Sequence, residues 1–62
     1  MVLYLNAMDG YTITDAENKS YTLKEAKEIV LAGKLNDCNL SFQRLINYDF
    51  DLDAVKIFYD EN

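Results

Sequence analysis

Apolar residues at Leu23, Ala26, Ile29 and Val30 recur at the i, i+3, i+4 spacing of a helix with one buried face, and Lys24, Lys27 and Glu28 fall opposite. Thr22 stands before this run and Glu25 three residues into it, a pair that forms a capping box. The threonine hydroxyl accepts from the Glu25 amide and the glutamate reaches back to the Thr22 amide. A cap of this kind is worth about 1 kcal/mol. Gly33 supplies the left-handed stop, with Lys34 beside the exposed carbonyls. The pattern therefore predicts a helix from Thr22 to Gly33 whose apolar face needs a partner surface.

Upstream, Val2-Leu3-Tyr4-Leu5 is apolar and β-prone, and Tyr11-Thr12-Ile13-Thr14 alternates, placing Tyr11 and Ile13 on one face. Asp9-Gly10 between them is a dipeptide preferred in two-residue turns with positive φ, so the pattern predicts a hairpin with strands near 2–7 and 11–15. Asp15-Ala16-Glu17-Asn18-Lys19 is turn-like, and Ser20-Tyr21 can add a short extended piece.

Downstream, residues 34–39 form a polar connection. Leu40, Phe42, Leu45, Ile46 and Asp49 follow helical spacing over roughly 40–48, with Asn39 or Ser41 as cap and Gln43, Arg44 and Asn47 outward; Phe, Ile and Tyr here are also compatible with a strand. Residues 54–59, Ala-Val-Lys-Ile-Phe-Tyr, read as a last strand with Val55, Ile57 and Tyr59 on one face and Phe58 on the other. The expected architecture is α+β: one small β-β-α-α-β domain over residues 1–62, with an antiparallel or mixed sheet packed against the amphipathic helix.

Length sharpens this picture, because 62 residues bury only about 60% of their unfolded surface and such chains usually need a staple. One cysteine, Cys38, allows no internal disulfide, and with no histidine the usual zinc sites are excluded. Self-association remains, and a last strand apolar on both faces would supply the interface of a homodimer. The start of the chain lacks the basic region and long apolar core of a signal peptide, and no apolar run approaches the length that spans a bilayer. With a lone thiol, the expectation is a cytoplasmic protein. The absence of proline and the abundance of Asn, Asp, Lys, Ile and Tyr point to an AT-rich bacterial or phage genome.

Candidate chemistry is sparse. Cys38 has no histidine to activate it, and a chain this small has little room for the concave pocket that paired carboxylates need. The two glycines, Gly10 and Gly33, are too far apart for a phosphate loop. Asp49, Asp51, Asp53 and Asp60 echo positions one, three, five and twelve of a calcium loop. Ala54 stands where that loop needs glycine, and position twelve is the shorter aspartate, so no metal or other cofactor is expected. These features argue for a protein without enzymatic activity.

Charge carries the remaining signal. Six basic residues against eleven acidic ones give −5, which disfavours direct contact with nucleic acid or anionic lipid. Residues 47–62 hold Asp49, Asp51, Asp53, Asp60 and Glu61 against Lys56 alone, a net of −4, whereas residues 19–34 hold four lysines and two glutamates, a net of +2. Tyr48, Phe50, Phe58 and Tyr59 are interleaved with those acids. Aromatic anchors among carboxylates suit a basic protein groove, because tyrosine is enriched at binding hot spots and carboxylates pair with arginine. Tyr48, Asp49, Asp51, Asp53, Tyr59, Asp60 and Glu61 are thus the expected contacts of a protein-binding module. Its sharpest form is an inhibitor that mimics phosphate on a nucleic-acid-handling protein. The alternative is a small structural or regulatory homodimer whose acids serve solubility.

Overall fold

A computed structural model describes residues 1–61. Strands β1 (Val2–Asn6), β2 (Thr12–Asp15) and β3 (Ser20–Tyr21) form a meander, helix α1 (Leu23–Leu31) follows, and β4 (Asp37–Cys38), α2 (Leu40–Asn47) and α3 (Leu52–Glu61) complete the chain. The sheet order is β3-β2-β1-β4, antiparallel except where β4 joins β1 in parallel, so the sheet is mixed. The α+β expectation holds.

One face of the sheet carries the core. Leu3, Leu5 and Ile13 point to it and are fully or almost fully buried against Ala26 of α1, Phe42 and Leu45 of α2, and Val55 of α3. The α1 stripe is confirmed: Ala26 is buried, and Leu23, Ile29 and Val30 pack against the core. The Thr22–Glu25 capping box forms in both directions, at 3.1 and 2.9 Å. At the far end Gly33 takes φ +71°, and the Gly33 and Lys34 amides donate to the carbonyls of Val30 and Ile29. That is the 5→2 and 6→1 pairing of a Schellman stop, in which glycine avoids the Cβ penalty of a left-handed residue.

The connection 34–39 contains more than a loop. Asp37 and Cys38 pair with Val2 and Leu3 as β4, and the Asn36 amide donates to the Met1 carbonyl at 2.7 Å. Asn39 then does two jobs. Its Oδ1 caps α2 by accepting from the Phe42 amide (2.9 Å) and also accepts from the Leu5 amide (3.1 Å), while its Nδ2 donates to the Leu5 carbonyl (3.0 Å). One side chain therefore continues the sheet and starts the helix. Leu40–Asn47 are helical as the spacing suggested, with Tyr48 closing the helix, although Leu40 is largely exposed and makes no contribution to the core.

The last element corrects the sequence reading: residues 54–59 lie inside α3 and are not a strand. Asp51 Oδ1 accepts from the Ala54 amide at 3.1 Å and its carbonyl from the Val55 amide at 3.2 Å, which starts a helix at Leu52. Leu52, Val55 and Tyr59 then fall at i, i+3 and i+7 and pack on the core, which turns Ile57 outward. The β preference of Val, Ile, Phe and Tyr gives way to a cap and a helical stripe, because such preferences mainly express side-chain packing. The subunit-interface argument that rested on a last strand loses its basis with that strand. The hairpin also differs. Residues 7–11 form a longer loop in which the Asp9 and Tyr11 amides both donate to the Asn6 carbonyl, and the left-handed residues are Gly10 and Tyr11. A two-residue turn at Asp9-Gly10 would have required positive φ at Asp9 as well.

Two carboxylates organise local turns. Asp15 accepts from the Glu17 and Lys19 amides (2.9 and 3.0 Å) and from the Tyr21 hydroxyl (2.7 Å), joining β2 to β3. The Lys19 amide first, then the Tyr21 hydroxyl, holds the Asp15 carboxyl below its usual range, and the Thr22 amide does the same for Glu25. A carboxyl depressed in the folded state stabilises the fold above its unfolded pKa, near about 4, and that contribution disappears as pH falls through the folded value. Thermal denaturation from pH about 6 downward should therefore show the melting temperature dropping from pH about 4, less steeply for an Asp15→Asn, Glu25→Gln variant.

Candidate interaction surface

The seven residues expected to bind a partner divide into three groups. The first is the corner between α2 and α3. Tyr48 closes α2, its amide donating to the Arg44 carbonyl, and its ring, 40% exposed, lies 6.5 Å from that of Phe58. Asp49 and Phe50 are both left-handed, at φ 54° and 61°, and their amides return to the carbonyls of Ile46 and Leu45. This is a second Schellman stop, with aspartate where α1 uses glycine; a short polar side chain tolerates that conformation better than most. Phe50 is held there by packing edge-on to Phe42 (6.4 Å), with the Lys27 ammonium 6.0 Å above its ring.

Asp51 and Asp53 therefore have structural reasons to be acidic. Asp51 is the cap of α3, and Asp53 lies in its first turn, where carboxylates meet the positive end of the helix dipole. The stretch 52–61 is helical, so the calcium-loop echo does not correspond to a loop, and among the described residues no three His, Cys, Asp or Glu side chains gather as a metal site. Asp51→Ala should lower stability by about 1 kcal/mol in a urea titration, whereas Asp51→Asn, an equally good cap without charge, should leave it within a few tenths.

The second group is Tyr59, which faces inward. Its hydroxyl bonds to Ser41 Oγ (2.7 Å) and accepts from Arg44 Nη1 (3.1 Å), and its ring lies near those of Tyr11 (6.4 Å) and Phe58 (5.3 Å). Arg44, expected to face outward, lies with its guanidinium 4.4 Å over Phe58, a contact worth about 0.5–2 kcal/mol depending on desolvation. Tyr59 and Arg44 together staple α3 to α2, so Tyr59 is not a free anchor for a partner.

The third group is the outward side of α3. Asp53, Ile57, Asp60 and Glu61 stand at i, i+4, i+7 and i+8, one exposed stripe that runs roughly 12 Å along the axis. Ile57 is 57% exposed between the acids. Asp60 also approaches the hairpin: Tyr11 is pushed up by partial desolvation and then by the charge of Asp60, while the Lys56 ammonium lies 5.6 Å over the Tyr11 ring. Asp60 and Glu61 lie in the last turn of α3, where the helix dipole gives carboxylates no support, so helix formation does not account for them. The sequence reading missed Ile57, and the signal for it was the helical spacing of the acids around one aliphatic residue.

Cys38 offers no competing chemistry. Its half-buried thiol is pushed up by desolvation and then by Asp37, and lies 3.9 Å from Gln43 Oε1, so the reactive thiolate is scarce at neutral pH. No helix among the described residues is long and apolar enough to cross a membrane. No family model matches the chain, no curated protein matches it, and no solved structure matches it.

Proposed function

We propose that the protein is a non-enzymatic binding module that engages a basic protein through the outward side of α3. The observation that carries this reading is the stripe Asp53–Ile57–Asp60–Glu61, in which an exposed aliphatic side chain sits among carboxylates of which two have no role in forming the helix. The isoleucine supplies apolar contact area and the acids supply orientation and a fast encounter with a cationic surface. Asp49 and Asp51, spent on helix punctuation, leave the centre of the site, and Tyr48 at the corner stays as a flanking contact. In its sharpest form the partner handles nucleic acid, and the carboxylates occupy the sites of its phosphates. The lone thiol suits a reducing compartment, and the cytoplasm is the proposed setting.

The test is capture from a lysate with immobilised wild type beside an Asp53→Asn, Asp60→Asn, Glu61→Gln variant, with duplex DNA as competitor. A basic protein retained by wild type and lost by the variant supports the reading, and its release by DNA supports phosphate mimicry. Equal retention by both baits overturns it.

A further inference from the structure

A different face of the molecule is shaped for apolar contact. The loop after β1 and the start of α2 enclose a groove of about 420 Å³, floored by Leu5 and Tyr59, with Ala7 and Met8 on one side and Asn39 and Ser41 on the other. Apart from the Asp9 carboxylate, its polar side chains already have partners, the Asn6 amide among them on Thr12 and Thr14. Asn39 spends its amide on Leu5 and Phe42, and Ser41 Oγ and the Tyr59 hydroxyl bond to each other. What remains for an occupant beside the Asp9 carboxylate is apolar wall and the Tyr59 ring, a setting that suits a thioether, which is unbranched and makes favourable sulfur–aromatic contacts. At the rim stands such a group: Met8 is 102% exposed, and Leu40, between Asn39 and Ser41, is 67% exposed.

We infer that a second copy of this chain docks here, each Met8 entering the groove of the other. A knob and a hole on one patch are what a two-fold interface requires, because the same surface must serve both sides. Charge points to the same occupant. Of the groove's lining only Asp9 is charged at neutral pH, so two copies of net −5 bring fewer like charges together here than at the α3 stripe with Asp53, Asp60 and Glu61. Self-pairing through α3 is penalised instead, since an antiparallel pair centred on Ile57 sets Asp53 against the Glu61 position of the other copy. A stable dimer buries about 800 Å² per partner, about a fifth of the 4228 Å² surface. The groove and its rim offer less, so the dimer is weak and concentration-dependent. It leaves the α3 stripe open on both copies and does not depend on the basic-partner reading.

Sedimentation equilibrium of wild type, Met8→Glu and Ile57→Glu from about 10 μM to 1 mM tests it. Met8 touches little within the monomer, so its substitution leaves the fold intact, which circular dichroism checks. The wild-type mass should climb from 7.2 kDa toward twice that value. Met8→Glu should raise the dissociation constant at least about tenfold, and Ile57→Glu should match wild type. A wild type that stays monomeric to 1 mM, a Met8→Glu variant that associates like wild type, or loss of association in Ile57→Glu would each overturn the inference.

Discussion

Asn39→Ala should cost the fold about 2–4 kcal/mol, enough to leave a domain of this size partly or wholly unfolded at room temperature. The estimate has two parts. Loss of the α2 cap costs about 1 kcal/mol. The rest comes from Leu5, whose side chain lies in the core at 1% exposure and whose amide and carbonyl both lose their partner when the Asn39 side chain is removed. A buried backbone group without a partner costs about 1–3 kcal/mol, less where water reaches it. Asn39→Asp separates the parts, since it keeps the cap and the acceptor for the Leu5 amide but loses the donor to the Leu5 carbonyl. Urea denaturation should therefore rank wild type, Asn39→Asp and Asn39→Ala in falling order of stability. Near-wild-type stability for Asn39→Ala would mean that the join between β1 and α2 is carried by packing alone.

The double role of Asn39 shows where the sequence could be read and where it could not. Its capping role was legible as one of two candidates, Asn39 or Ser41, because a cap is a local pattern of a short polar residue before an apolar helical run. Its bonds to Leu5 were not, since they join residues 34 apart in the chain. The same division holds elsewhere. Thr22, Glu25 and Gly33 bracket α1 with neighbours only, whereas β4 is two residues long and is a strand only because β1 lies beside it. For α3 the local signals conflicted. Val55, Ile57 and Tyr59 fit the alternation of a strand, and Leu52, Val55 and Tyr59 fit a helix; Asp51 as a cap decides between them.

That decision also rearranged the candidate site. Read as a strand and its preceding loop, Asp49, Asp51 and Asp53 formed the centre of an acidic surface with Tyr48 and Tyr59 as anchors. Read as a helix with its corner, Asp49 and Asp51 become punctuation, Tyr59 becomes a staple, and Ile57 emerges between Asp53 and the Asp60–Glu61 pair. The composition of the region was legible from its residues; which side chains share a face depended on the helical period.

Neutralising the α3 stripe should have the largest effect on binding. An exposed ion pair contributes about 0.2–1 kcal/mol, so three carboxylates against a basic surface supply about 0.6–3 kcal/mol, roughly a 3- to 160-fold loss in affinity when all are removed. Much of it should appear in the association rate, because exposed charges steer encounter, and it should shrink as salt screens them. Asp49→Asn with Asp51→Asn is the matched control. It removes two charges nearby, while asparagine suits both the left-handed position and the cap.

The most direct measurement is a kinetic titration of the captured partner against wild type, the Asp53→Asn, Asp60→Asn, Glu61→Gln variant and the corner control, at about 50 and 300 mM salt, where the Debye length falls from roughly 14 to 6 Å. The prediction is an association rate for the stripe variant at least about threefold below wild type at low salt, a smaller gap at high salt, and a corner control close to wild type. If the stripe variant binds as fast and as tightly as wild type at low salt, the outward side of α3 is not the binding surface.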